Sequence, residues 1–178
     1  MSLSGKTCII TGGAGGLGKA ITQNFLASGA RCIVLDINDT LLTSISLELS
    51  PQYGDKLVVL KCNVASEASI QATYNEILKD GGSAEILVNN AGIPDRFDGV
   101  AECELEMWQR VMDINLTGPF LMTKYAVEHF REKGIKGSVI NIGSVASTRG
   151  GVAGSCSSLP FPIPISPGCC IYRFRLFT

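Results

Sequence analysis

The sequence predicts an α/β fold in which one parallel sheet is covered by helices on both faces. Two observations favour this fold: short apolar runs alternate with longer helical patterns, and the first run leads through a glycine-rich loop into a helix. The expected strands are 7–11, 31–35, 57–61 and 85–89, and the expected helices between them are 16–28, 39–48 and 67–79. This alternation is typical of a doubly wound sheet.

The glycine-rich loop Thr11-Gly12-Gly13-Ala14-Gly15-Gly16-Leu17-Gly18 joins the first strand to the first helix. A loop in this position bends sharply and directs the free N–H groups of the helix toward a bound anion. A Cβ at Gly12, Gly16 or Gly18 would obstruct a pyrophosphate. We therefore expect a dinucleotide phosphate here, in a Rossmann-type fold.

The second strand ends at Asp36, about eighteen residues after the last glycine of the loop. A carboxylate at this point can accept hydrogen bonds from the ribose hydroxyls of an adenine dinucleotide. The same charge repels a 2′-phosphate, which favours NAD over NADP. The simpler alternative is that Asp36 is a solvated residue or begins the turn at Asn38.

Each remaining element follows from local signals. Asn38 or Asp39 and Ser66 are suitable N-caps for the second and third helices. A long helical pattern runs from 104 to 133, and Pro119 inside it predicts a kink near 115–118 because proline lacks a backbone donor. The run 138–143 predicts a fifth strand that ends at Ser144. We expect the strand order 3-2-1-4-5.

Composition limits the classes of function. The chain has 178 residues, 46% of them hydrophobic, so one domain with a substantial core is expected. The net charge is −1 and the basic residues are scattered, which disfavours nucleic acid and anionic membranes as partners. With no targeting pattern or long apolar segment, a soluble cytoplasmic protein is expected. The seven cysteines match no zinc pattern, so we expect no metal and free or buried thiols.

Four motifs in this order together resemble the short-chain dehydrogenase/reductase family: Thr11 to Gly18, Asn89-Asn90-Ala91-Gly92, Asn115, and Ser144 just after a strand. The resemblance covers roughly residues 5–154 and implies hydride transfer between NAD and a small secondary alcohol or carbonyl compound. It implies cofactor contacts from Gly12, Gly16, Leu17, Gly18, Asp36, Ile37, Asn63, Val64, Asn90, Ala91 and Gly92. Asn115 and Ser144 are the expected catalytic residues.

The resemblance also assigns a role to each late motif. Asn89 to Gly92 would support the sheet beside the cofactor, and Asn63-Val64 stands where the family usually has an Asp-Val pair near adenine. Asn115 would help hold a water molecule in a proton relay, and Ser144 would donate a hydrogen bond to the substrate oxygen. The structural alternatives are a plain turn, a hydrogen bond within a broken helix, and an ordinary serine at a strand end.

The family pattern stops after about residue 154. The family places a tyrosine about thirteen residues after the serine as the proton donor, and a lysine four residues later. Ser157 and Phe161 occupy these positions here, and none of the four tyrosines has a lysine four residues later. We also expect the single histidine, His129, to be a surface or interface residue.

Prolines recur from 159 to 167, so residues 155–178 are expected to form an irregular tail outside the family fold, after an incomplete NAD-binding domain at 1–154. The chain is thus expected to be inactive or weakly active alone, and unstable or prone to aggregation. The alternative function is a catalytically silent dinucleotide-binding module or a dimerisation partner of a full-length relative. A homo-oligomer would form through the helix at 104–133.

Overall fold

The computed structural model describes residues 2–96, 99–144 and the backbone of strand 169–175. The predicted parallel strands are confirmed as β1 (Thr7–Thr11), β2 (Arg31–Asp36), β3 (Leu57–Lys61), β4 (Ile86–Asn89) and β5 (Ser138–Ser144). The helices are α1 (Gly16–Ala27), α2 (Asp39–Tyr53), α3 (Glu67–Leu78), α4 (Leu105–Met112) and α5 (Gly118–Lys133).

The sheet order is β3-β2-β1-β4-β5, as predicted, and these five strands are parallel. Their carboxyl ends therefore meet at one edge of the sheet. Because the chain passes from β3 back across β1 to β4, the loops after β1 and β4 separate and leave a crevice, which is where open α/β sheets bind ligands.

The sheet has an apolar layer on each face. On one face, α3 and α5 contribute side chains that include Ile70, Tyr74, Met122 and Phe130. On the other face, α1 and α2 contribute a second set that includes Leu26, Leu42, Ile45 and Leu49. Burial on both faces explains why the strands read as nearly continuous apolar runs instead of alternating patterns.

The boundaries of α2 and of the long helix show how proline acts. The N-caps are Asn38, which accepts N–H bonds from Thr40 and Leu41, and Ser66. Helix α2 extends beyond the predicted end and contains Pro51 in its last turns. The long helix is interrupted by a π-helical turn at Asp113–Thr117, where the kink was predicted. Pro119 cannot supply the N–H group that the carbonyl of Asn115 would otherwise accept.

The prediction of an irregular tail is wrong for one segment. Residues Cys169–Arg175 form a sixth strand, β6, which runs antiparallel to β5 and pairs with its whole length. The last proline of the tail is Pro167, and the residues after it keep their backbone donors and include β-branched and aromatic types that favour strands. The rest of the tail lies outside the described residues.

Candidate functional site

A cleft of about 590 Å³ opens at the carboxyl edge of the sheet. Its walls come from the glycine loop and from the segments that follow β2, β3 and β4. The structure brings ten of the eleven predicted cofactor residues to this cleft: Gly12, Gly16, Leu17, Asp36, Ile37, Asn63, Val64, Asn90, Ala91 and Gly92. The volume is within the range of ligand pockets, and most of the wall is apolar with a few polar groups.

Two features make the loop depend on glycine. Gly12 and Gly16 have φ angles of +60° and +49°, in the left-handed region that disfavours side chains. A Cβ on Gly12 would lie 2.9 Å from the Cα of Ala91 in the loop after β4. A Cβ on Gly16 would point into open space, which leaves bare backbone at the cleft.

Gly18 packs closely against the glycine loop and Asn90. Gly18 is not among the described residues that line the cleft. A Cβ on Gly18 would collide with the carbonyl oxygen of Gly12 and with the side chain of Asn90. Gly18 therefore permits close packing between α1 and the loop.

The N-terminus of α1 has no side-chain cap. Gly15 occupies the cap position, no side chain accepts a bond from the first N–H groups, and the first turn has no acidic residue. By contrast, Asn38 and Ser66 cap α2 and α3 with side-chain oxygens. Gly15, Gly16 and Leu17 at this uncapped helix start line the cleft, an arrangement that suits a negatively charged ligand.

Asp36 lies half-buried at the end of β2, where its carboxylate faces the loop. One oxygen accepts the N–H of Asn38 at 3.1 Å, and the other lies 3.4 Å from the N–H of Ala14. These contacts fix the side chain at the cleft wall. Carboxylate oxygens have capacity for further hydrogen bonds, so Asp36 can still accept them from a ligand.

Thr11, which sequence reasoning missed, connects the two sides of the cleft. Its hydroxyl oxygen accepts the N–H groups of Asn90 and Ala91, both at 3.0 Å. In return, the amide of Asn90 donates to the carbonyls of Thr11 and Gly12 at 3.0 Å. The available signal was a hydroxyl residue at the last position of a buried strand, directly before the glycine loop.

Asn63 and Val64 follow β3 and line the cleft beside Cys62. The side-chain oxygen of Asn63 accepts the N–H of Ala65 at 3.0 Å, and the backbone N–H of Asn63 donates to Ser69. This amide therefore stabilises its own turn as well as forming part of the wall. Gly118 at the start of α5 packs directly against Val64.

Asn115 is fully buried in the π-helical turn, where its side chain holds the loop after β4. The amide oxygen accepts the N–H of Ile93 at 2.9 Å, and the amide nitrogen donates to the carbonyl of Ile93 at 2.8 Å. Ile93 lines the cleft, whereas Asn115 itself lines a neighbouring groove of about 490 Å³. The side chain of Asn115 thus positions a wall of the cleft.

Ser144 is buried at the end of β5, at the same edge of the sheet as the cleft. Ile142, two residues earlier, forms part of the cleft wall. On the other face of β5, Asn141 accepts a hydrogen bond from Asn89 at 2.8 Å. The predicted tyrosine and lysine positions, Ser157 and Phe161, lie outside the described residues.

The expectation that His129 is a surface residue is wrong. It is 2% exposed, and its Nε2 accepts the N–H of Ala84 at 3.2 Å. Burial and the nearby Lys133 lower the pKa of the imidazole. The side chain of His129 joins α5 to the segment before β4, and periodicity in a long amphipathic helix did not reveal which face the residue occupies.

The family profile described as short chain dehydrogenase matches residues 6–157. The chain belongs to the short-chain dehydrogenase family. Members of this family bind NAD or NADP. Membership of this family explains why three features occur together at one edge of this sheet. They are the glycine loop, the Asn-Asn-Ala-Gly turn and the buried Asn115 just before α5.

Two relatives among these dehydrogenases illustrate the similarity. The chain is 41% identical to the short chain dehydrogenase/reductase dpmpG of Macrophomina phaseolina over 156 residues, which cover 87% of this chain and 89% of that protein. It is 39% identical to 3beta-hydroxysteroid dehydrogenase 2 of Eggerthella lenta over 158 residues, which cover 87% and 60% of the two chains.

Solved structures of other proteins show the same fold. A proposed gluconate dehydrogenase from Agrobacterium tumefaciens superposes with a TM-score of 0.81 at 30% identity, covering 88% of this chain and 61% of that one. The structure of gox2181, at 24% identity, has a TM-score of 0.82 and supports the fold alone. The chain thus spans about three fifths of the length of these two solved structures and of the steroid dehydrogenase.

Within the described part of this chain, no helix is long and apolar enough to cross a membrane. The same residues contain no group of three or more His, Cys, Asp and Glu side chains arranged to hold a metal ion. Cys8, Cys32 and Cys62 are free thiols and are buried.

Proposed function

We propose that this chain binds NAD in the cleft at the carboxyl edge of the sheet, and that its family chemistry is hydride transfer between NAD and a secondary alcohol or carbonyl compound. The observation that carries the proposal is that one cleft collects the ends of β1, β2, β3 and β4. Residues that are far apart in the sequence come together in this cleft and would form a binding wall for a dinucleotide.

The residues present fit the cofactor. The uncapped start of α1 and the bare backbone at Gly16 would bind the pyrophosphate, and Asp36 would accept hydrogen bonds from the adenosine ribose. Asn90, Ala91 and Gly92 would line the middle of the cofactor, held in place by Thr11. When bound, the nicotinamide supplies or accepts the hydride.

We further propose that NAD is preferred over NADP. The carboxylate of Asp36 is fixed at the cleft wall by the N–H of Asn38, so it cannot move far from a ribose in the cleft. A 2′-phosphate placed there would experience repulsion between like charges.

The proposed substrate class is a secondary alcohol or the matching carbonyl compound. This class is supported by the names of similar proteins, which include a 3beta-hydroxysteroid dehydrogenase, a glucose 1-dehydrogenase and a dichlorocyclohexadiene-diol dehydrogenase. Ser144 at the end of β5 would donate a hydrogen bond to the substrate oxygen. Asn115 would act by holding the Ile93 segment beside the cofactor.

Turnover by this 178-residue chain alone is proposed to be absent or weak. The sequence has Ser157 and Phe161 where the family's proton donor and its lysine are expected. A serine hydroxyl is far less acidic than a phenol, and loss of a positioned general acid commonly lowers rates by about 10²–10⁴.

We also propose a cytoplasmic location and self-association through α5. The buried free thiols Cys8 and Cys32 are compatible with a reducing compartment. Phe120 of α5 is 63% exposed, as expected of a helix face that contacts another chain.

One experiment tests the proposal in two measurements on the same preparation. Isothermal calorimetry with NAD⁺ should show saturable binding, and Asp36→Ala should weaken it. An absorbance assay at 340 nm with a panel of secondary alcohols should show little or no NADH. Binding with little turnover supports the proposal, brisk turnover overturns the weak-activity part, and no binding overturns the whole.

A further inference from the structure

An ion pair involves Lys61, the strand neighbour of Asp36. Lys61 is the last residue of β3 and the register partner of Asp36 on β2. Its Nζ lies 2.5 Å from Oδ2 of Asp39, the first residue of α2. Register partners on neighbouring strands direct their side chains to the same face. A lysine therefore accompanies the proposed ribose-binding carboxylate, with its charge paired to a second carboxylate.

Neither member of the pair lines the cleft, but each stands close to wall residues along the chain. In the sequence, Asp39 stands between the wall residues Ile37 and Leu41, and Lys61 directly precedes the wall residues Cys62 and Asn63. A lysine at such a place can stabilise a phosphate as a point charge. Because Lys61 is paired with Asp39, however, its positive charge is neutralised. The net charge in this region is then the negative charge of Asp36.

We infer that Asp39 is a second specificity-determining residue for the cofactor, because it holds Lys61 and so denies a 2′-phosphate the cation that stands beside Asp36. The inference rests on the proposed binding of NAD. It assigns the exclusion of NADP to two carboxylates that act differently: Asp36 repels the phosphate directly, and Asp39 neutralises its nearest candidate partner.

The exposure of the two side chains indicates that the Lys61–Asp39 pair is not needed for folding. The two side chains are 60% and 69% exposed, and ion pairs in such surroundings contribute little to folding stability. Removal of Asp39 should thus leave the fold unchanged. The N-cap of α2 is Asn38, which the substitution does not alter.

The test is a double-mutant cycle read by calorimetric binding of NAD⁺ and NADP⁺ to the full chain. Asp39→Asn should raise the affinity for NADP⁺ about three- to tenfold and change that for NAD⁺ less than about twofold. Asp39→Asn combined with Lys61→Gln should lose most of this gain, because the freed cation is gone. The gain should also shrink as salt screens the charges.

Asp55→Asn is the matched control. Asp55 is exposed just before β3, at the opposite end of that strand from Lys61, and its substitution removes the same charge. An equal gain of NADP⁺ affinity in this control, or a gain that persists in the double variant, would overturn the inference. If NAD⁺ binds while Asp39→Asn leaves NADP⁺ unchanged, only this inference fails. If neither nucleotide binds, the proposed function fails as well.

Discussion

His129 gives the molecule a pH dependence that a single residue controls. The neutral ring accepts the N–H of Ala84, and its Nδ1 is buried without a hydrogen-bond partner among the described residues. Burial lowers the pKa of the imidazole in the folded chain, with Lys133 adding to this effect and Glu132 and Glu85 opposing it. Protonation would therefore place a charge where the fold accommodates it poorly.

The first prediction is a loss of folding stability as the pH falls. The unfolded chain binds a proton on His129 near pH 6.5, and the folded chain binds it at a lower pH, so the free energy of unfolding should decrease from about pH 7 downward. Urea unfolding at pH 7.5 and pH 5.5 measures the change. His129→Gln, which keeps an acceptor, should flatten the dependence, since the chain has one histidine. An equal slope in both proteins would contradict the prediction.

The second prediction concerns the paired thiols of β1 and β2. Cys8 and Cys32 face each other in register, and burial raises the pKa of each thiol to about 12. Because the thiolate is the reactive form, iodoacetamide at pH 8 should leave both unlabelled in the native chain and label both in urea. Peptide mass spectrometry reports the labelling of each site. Equal labelling rates in native and urea-treated chains would refute burial.

At the scale of elements, the π-helical turn acts on the cleft through Asn115. The side chain makes two hydrogen bonds to the backbone of Ile93, so a change at this position leaves the part-buried N–H and carbonyl of Ile93 unpaired. The helix interruption is thus coupled to the position of a cleft wall.

The third prediction follows from that coupling. Asn115→Ala should lower the free energy of unfolding by about 1–3 kcal/mol and weaken NAD⁺ binding several-fold, because the Ile93 segment loses its support. Asn24→Ala, on the exposed side of α1, is the matched control and should change neither quantity. Chemical denaturation and calorimetry provide the two measurements. Unchanged NAD⁺ affinity in Asn115→Ala would exclude the positioning role.

How far the sequence predicted these elements depends on how local their signals are. The glycine loop, the helix caps and the helix break before Pro119 are encoded by a few adjacent residues. Ser66 was predicted as a cap and Asn38 as one of two candidates, and the break was predicted near 115–118, where the structure has the turn at Asp113–Thr117. The cleft could be predicted because parallel strand ends must meet at one edge.

The features that sequence reasoning missed depend on contacts between distant segments. The bonds from Asn90 and Ala91 to Thr11 span 79 and 80 residues, and the bond from Ala84 to His129 spans 45. Strand β6 was missed because a preceding run of prolines dominated the local pattern, whereas its pairing depends on β5. Such contacts require the three-dimensional arrangement.

At the scale of the molecule, α5 presents apolar surface that the described residues do not cover. Phe120 is 63% exposed and lies beside Leu116 and Val127 in the groove next to β5. We expect instability or aggregation of this chain, and this face provides a specific place where chains would associate.

The fourth prediction tests that expectation. Phe120→Ser should reduce the fraction of associated chain seen by sedimentation velocity without lowering the melting temperature, because the side chain is largely solvated already. Leu47→Ser is the matched control, since Leu47 is 74% exposed on α2 at the other face of the sheet. Equal effects of both substitutions would show that general surface hydrophobicity, and not this face, drives association. A monodisperse wild-type chain with a cooperative, high-temperature melt would contradict the expectation itself.

Because the start of α1 has no side-chain cap, nucleotide binding there would affect how much folded chain a cell contains. A phosphate bound there would act as the missing cap, and a ligand at about a hundred times its dissociation constant adds roughly 2.7 kcal/mol to the free energy of unfolding. A cell depleted of nicotinamide nucleotides would then leave more of this polypeptide unfolded and open to proteases. The steady-state amount of this chain would therefore rise and fall with the concentration of nicotinamide nucleotides.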